Sequence, residues 1–119
     1  HPRYYGSFAR KYATYVKDEK VMSLQAFIDQ STAATAAMFS LEGRGQLKVG
    51  AFADVIAFDP KTFASRADYA NPFLLATGMR TVVVNGQVAV ENGAPTGVAA
   101  GRPLARQPIA GFGSSCGFM

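Results

Sequence analysis

Along the first part of the chain the apolar residues recur at helical spacing, and from about residue 43 they alternate as in strands. Phe8, Tyr12, Tyr15 and Val16 fall at i, i+4, i+7 and i+8, which places them on one helical face over residues 7–17. Arg10, Lys11 and Lys17 lie off that face, and Gly6-Ser7 supplies a start because a serine oxygen can accept an orphan backbone N–H. The segment "KDEK" makes a polar break. Ser23 caps a second helix with Leu24, Phe27 and Ile28 inward and Gln25, Asp29 and Gln30 outward. The stretch "STAATAAMFSL" continues it in small residues suited to close packing, ending in Met38, Phe39 and Leu41, which read as core.

Gly43, Gly45 and Gly50 then punctuate a different pattern. "GRGQLKVGAFADVIAFDP" reads as a β-turn-β unit: a strand at Leu47, a turn at Gly50, and a second strand over Ala53–Asp59 stopped by Pro60. Residues 61–79 read as a surface excursion with turn signals at Asn71-Pro72 and Thr77-Gly78. "TVVVNGQVAVENG" holds two β-branched runs around Asn85-Gly86, a dipeptide able to take the two positive φ values of a type I′ turn, so a two-residue hairpin follows. "APTGVAAGRP" reads as a loop. The expected division is a helical part over 1–42, a β part over 43–106 with four short strands and two hairpins, and a disordered tail over 107–119. Both faces of Val55-Ile56-Ala57-Phe58 want cover, more than so thin a sheet provides, so structure outside this chain is expected to supply it.

Composition narrows the classes. At 119 residues with 49% hydrophobic and 17% charged residues, the chain is globular rather than disordered. It opens without an initiator methionine, which favours a piece of something longer. The formal net charge of +4 comes from scattered Lys and Arg, with no dense basic run, so nucleic-acid binding is not expected. No apolar run approaches the ~20 residues of a membrane span, and a cytoplasmic location is the default expectation, with any targeting segment lying before His1. The single cysteine, Cys116, cannot form an internal disulfide.

Candidate chemistry is sparse. One His and one Cys cannot assemble a zinc site, which takes three or more protein ligands. Ser114-Ser115-Cys116 has no positioned base, and no Gly-x-Ser-x-Gly elbow is present. "GQLKVG" lacks the Gly-Lys-Ser/Thr ending of a phosphate loop. Asp54 and Asp59 are five positions apart on one strand, hence on opposite faces and roughly 16 Å apart. Carboxylate pairs that flank one bond sit within ~10 Å, so these two read as structure: Asp54 accepting N–H groups of the Gly50-Ala51-Phe52 turn, and Asp59-Pro60 ending the strand.

"GQLKVGAFADVIAFDP" nevertheless resembles the G-x-[LI]-x-x-G-x-x-A-D-[LV]-[VI]-x-[FL]-D signature of the amidohydrolase superfamily, and "TVVVNGQVAVENG" resembles its V-x-V-N-G-x-x-V-x-x-G hairpin. "HPRYYGSFARKYATYVKDEKVMSL" is similar to the H-P-R-x-[YF]-G-[TS]-F-x-R and E-[KR]-V-[LM]-[ST]-L segments of the N-acyl-D-amino-acid deacylase (D-aminoacylase) family, and "PTGVAAGRPL" to its end. The resemblance covers about residues 1–106. It departs where T-x-x-P-A becomes Thr32-Ala33-Ala34-Thr35-Ala36 and where Phe73-Leu74 replaces a frequent His-Gln.

The resemblance implies an α/β parent: a (β/α)8 metal-dependent hydrolase barrel with a small β-sandwich. This chain would be its C-terminal fragment, holding the post-strand-8 loop and last barrel helices (1–42) and sandwich strands (43–106). It implies cleavage of N-acyl-D-amino acids to a carboxylate and a D-amino acid by a zinc-bound water. The proton-shuttling aspartate and the Cys and His ligands would lie upstream, so neither catalytic nor metal-binding residues are expected here. One functional residue is implied: Arg3, at the H-P-R arginine, would bind the substrate carboxylate, a pairing that suits the guanidinium fork. His1, Tyr4 and Tyr5 are secondary candidates for lining that pocket. A related amidohydrolase acting on cyclic amides or other acylated amines, or a non-catalytic β interaction module, are the competing readings.

Overall fold

The computed structural model describes residues 1–105; the expected tail and Cys116 lie outside the described residues. The first helix, α1 (Arg3–Lys11), runs on as π-helical turns over Tyr12–Asp18. It starts earlier than Gly6-Ser7 suggests. Pro2, with φ −60° and no amide hydrogen to strand, occupies the cap position. Ser7 sits inside the helix, and its Oγ donates to the Arg3 carbonyl at 2.7 Å.

The buried line of α1 also differs from the aromatic face expected. Gly6, Ala9 and Tyr12 are buried, whereas Phe8 is 67% exposed. The cause is a close approach: the loop at Ser65 lies so near that a Cβ on Gly6 would stand 2.2 Å from Ser65 Oγ. Only small residues fit beneath it. Past Tyr12 the wider turns, marked by the Glu19 amide bonding to the Thr14 carbonyl at 2.8 Å, rotate Val16 toward the core and leave Tyr15 outside.

Helix α2 (Leu24–Ser31) is capped as its sequence predicts, with Ser23 Oγ accepting the Ala26 amide at 3.1 Å. Of Leu24, Phe27 and Ile28, the residues expected inward, Phe27 alone is buried. The chain breaks at Thr32 (φ −131°, ψ −93°) into α3 (Ala33–Met38), which turns Ala36 inward. Met38 and Phe39 are 74% and 55% exposed, against the expected core role. The helix ends there, its end closed by the Leu41 amide on the Ala36 carbonyl, so neither residue has a surface to pack on among the described residues.

Four antiparallel strands follow in the order β1 (Val55–Phe58), β2 (Met79–Val84), β3 (Gln87–Glu91) and β4 (Ala94–Pro95). The hairpin between β2 and β3 turns on Asn85 (φ 49°) and Gly86 (φ 79°), the type I′ geometry expected; glycine tolerates that φ without a Cβ clash. Asn92 and Gly93 repeat the device, so Ala94-Pro95 pair as a short strand where a loop was expected. Leu47 is not in a strand and is 84% exposed. Local bonds, Phe52 amide to Gly43 carbonyl and Ala51 amide to Lys48 carbonyl, close that segment as turns.

Helices and sheet share one core of Ala9, Tyr12, Phe27 and Phe63, with Val16, Met22, Phe58, Ala76 and Met79 packed against it. Tyr12 is its hub, with ring centroids 5.5 Å from each of Phe27, Phe58 and Phe63. Its hydroxyl donates to the Pro60 carbonyl at 2.9 Å, so the phenol is buried with its polar atom satisfied. Phe63 comes from the stretch read as a surface excursion: an isolated bridge between Ala64 and Thr77 folds that stretch back, carrying Phe63 into the core.

Candidate functional site

Arg3 stands in the first turn of α1 and opens onto a cleft of about 370 Å³. One side of the helix supplies Arg3, Ser7 and Arg10; the opposing loop supplies Ser65, Ala67 and Tyr69. No carboxylate lines the cleft, and among the described residues Arg3 and Arg10 form no ion pair. A guanidinium left without a protein counter-charge at a polar cleft suits a small anion, a carboxylate above all, which it can meet with two parallel N–H donors.

His1 belongs to the same cleft. Its Nδ1 accepts the Arg3 amide at 3.1 Å, and its Nε2 lies 3.2 Å from the Tyr69 hydroxyl. The two rings meet edge to face at 5.2 Å. Tyr4 lines a neighbouring hollow with His1, Arg3 and Ser7, while Tyr5 turns instead to Phe73, with a T-shaped contact at 5.9 Å. Sequence reasoning did not find Tyr69. It sits in an irregular loop with no periodicity to mark it, 68 positions from its partner.

The two aspartates have other work. Asp54 Oδ1 accepts the Asn85 amide at 2.8 Å, and Oδ2 pairs with Arg44, whose second nitrogen reaches Asn85 Oδ1 at 2.7 Å. This corrects the expected partner, since the acceptor role is filled from the hairpin rather than from the Gly50-Ala51-Phe52 turn. The Arg44 guanidinium also lies over the Phe52 ring at 4.1 Å. The Asn85 amide first, and Arg44 beside it, hold the Asp54 carboxyl below the usual range against the opposing effect of partial burial. Asp59 Oδ1 accepts the Lys61 amide at 2.9 Å and, with Arg80 nearby, is lowered in the same way. Asp59 thus closes the end of β1, as its Asp-Pro sequence suggests.

The described residues do not fit a metal ion. No group of three or more His, Cys, Asp or Glu side chains converges among them, and the one imidazole already uses both ring nitrogens beside a cationic arginine. None of the described helices is long and apolar enough to cross a membrane.

Known proteins share this fold. Superposition on a D-aminoacylase mutant in complex with CuCl2 gives a TM-score of 0.85 at 40% identity, covering 89% of this chain and 22% of that one. An N-acyl-D-glutamate deacylase from Bordetella bronchiseptica, complexed with zinc and a phosphonate mimic of the tetrahedral intermediate, gives 0.73 at 39% identity over 80% of this chain and 21% of that one. These are hydrolytic enzymes that bind metal, and the helix–sheet unit is a portion of their fold.

Residues 1–90 match the amidohydrolase family model, and the chain belongs to the amidohydrolase family. It is 43% identical over 106 residues to a D-aminoacylase and likewise to an N-acyl-D-glutamate deacylase, both of Alcaligenes xylosoxydans xylosoxydans. It covers 89% of itself in each comparison but spans only 22% of each relative's length.

Proposed function

We propose that this chain is the C-terminal part of a zinc-dependent D-aminoacylase-like hydrolase that cleaves the amide of N-acyl-D-amino acids to a carboxylate and a D-amino acid. In this reading residues 1–42 end a (β/α)8 barrel and residues 43–106 contribute sandwich strands. Zinc is held by the remainder of the longer protein and supplies the activated water there. The contribution of this chain is binding: Arg3 holds the substrate carboxylate and so fixes which end of the substrate faces the reacting centre.

The observation that carries the reading is Arg3, which among the described residues has no ion pair and faces a cleft lined by no carboxylate, in a chain 43% identical to a D-aminoacylase. The test compares an N-acyl-D-amino acid with its neutral carboxamide analogue in the full-length hydrolase. Arg3→Ala is expected to lower kcat/KM for the acid by about 10- to 100-fold, the size of a charge-assisted hydrogen-bond pair, with little effect on the carboxamide. An unchanged ratio of the two substrates would remove Arg3 from the site.

A further inference from the structure

We propose that Tyr69 is a positioning residue for Arg3, acting through His1; this rests on the substrate-binding reading of Arg3 given above. The Arg3 amide can only donate, so the His1 Nδ1 that it meets at 3.1 Å must accept. The neutral ring therefore carries its hydrogen on Nε2, which faces the Tyr69 oxygen at 3.2 Å. The two engaged nitrogens and the edge against the Tyr69 ring at 5.2 Å favour this orientation of the imidazole. That orientation keeps the ring on the Arg3 amide in the first turn of α1, beside the point where the Arg3 side chain leaves the backbone.

Tyr69 can serve this way because its own loop is braced. Asp68 Oδ1 accepts the Asn71 amide at 2.6 Å, and Ser65 Oγ accepts the Ala67 amide at 3.2 Å. The loop also rests on α1 at two further points: Ser65 against Gly6, and Phe73 against Tyr5. Three contacts along nine positions of sequence thus fasten the 65–73 loop to residues 1–6, and the Tyr69 contact is the one that reaches Arg3's backbone.

The experiment uses the full-length hydrolase with Tyr69→Ala, Tyr69→Phe and Arg3→Ala, each assayed on an N-acyl-D-amino acid and on its carboxamide. Tyr69→Ala is expected to raise KM for the acid about tenfold, with kcat within about twofold and the carboxamide unaffected; Tyr69→Phe, which keeps the ring, loses less, about two- to fivefold. In an Arg3→Ala background Tyr69→Ala is expected to add nothing, because the two act on one interaction. Equal losses on acid and carboxamide, or an undiminished Tyr69 effect without Arg3, overturn the positioning role while Arg3 stands. If Arg3→Ala leaves the acid-to-carboxamide ratio intact, both readings fall. Should Tyr69→Ala not fold, Tyr69→Phe decides by the same ratio.

Discussion

Asp54 and Asn85, 31 positions apart, are joined by a 2.8 Å hydrogen bond from the Asn85 amide to Asp54 Oδ1. The bond ties the end of the 43–54 segment to the hairpin turn, so the two stretches that mark the family in the sequence meet in space. The Gly86 amide on the Ala53 carbonyl at 2.9 Å completes the junction, and the Asn85 side-chain amide holds the Ala100 carbonyl at 2.8 Å. One turn thereby organises three segments.

Neutralising the carboxylate weakens both of its contacts and leaves Arg44, whose side chain is mostly buried, without its counter-charge. Asp54→Asn is expected to destabilise the protein by about 1–3 kcal/mol, read as a lower urea midpoint with an unchanged slope. A midpoint equal to the parent's would show that the Asp54–Arg44–Asn85 contacts add nothing net.

Acid should act through the same groups. Asp54 and Asp59 are both lowered from the ordinary value of 3.8, Asp54 chiefly by the Asn85 amide and Asp59 chiefly by the Lys61 amide. A carboxyl lowered by folding stabilises the native state above its unfolded pKa, and that contribution disappears as pH falls through the lower folded value. Stability should therefore be flat above about pH 5 and decline below about pH 4. Thermal melts across pH 2–6 would show it, with a shallower decline in the Asp54→Asn variant.

Tyr12 offers a packing test that separates ring from hydroxyl. Tyr12→Ala removes the ring shared by Phe27, Phe58 and Phe63, at an expected cost of about 3–5 kcal/mol. Tyr12→Phe keeps the ring and loses only the bond to Pro60, about 1 kcal/mol. Denaturant titration of both should give well-separated midpoints.

Metal should be indifferent to the chain by itself. Without three converging donor side chains among the described residues, the isolated polypeptide with added zinc is expected to show no deacylase turnover and no stoichiometric binding by calorimetry. Clear turnover would overturn the assignment of the catalytic centre to the rest of a longer protein.

What the sequence disclosed was chemistry that is local. Asn85-Gly86 dictates its turn through φ alone, and Ser23 caps α2 through a bond three residues away. The misreadings of Phe8 and Phe63 have a different cause, a partner distant in the chain. Phe8 matched the helical period, yet the loop at Ser65 selected Gly6 and Ala9 for burial. Phe63 lay in a stretch of turn signals, and a single bridge from Ala64 to Thr77 carried it inside. The cleft divides the same way: Arg3 stood out by its motif, while Tyr69 became visible only when the 65–73 loop was seen lying on α1.

Among the described residues β1 pairs on one side only, with β2. Its sequence Val-Ile-Ala-Phe carries no charge and no proline, and Ile56 is 53% exposed, a combination that invites a second molecule to add its own strand. Asp54 and Asp59 stand at the two ends of that edge. Each has an arginine beside it, Arg44 at Asp54 and Arg80 at Asp59, so both ends of the edge are ion-paired while its middle stays apolar. On the reading proposed above, that edge is where a strand of the longer hydrolase would pair, so the chain cut free of it would carry an adhesive seam.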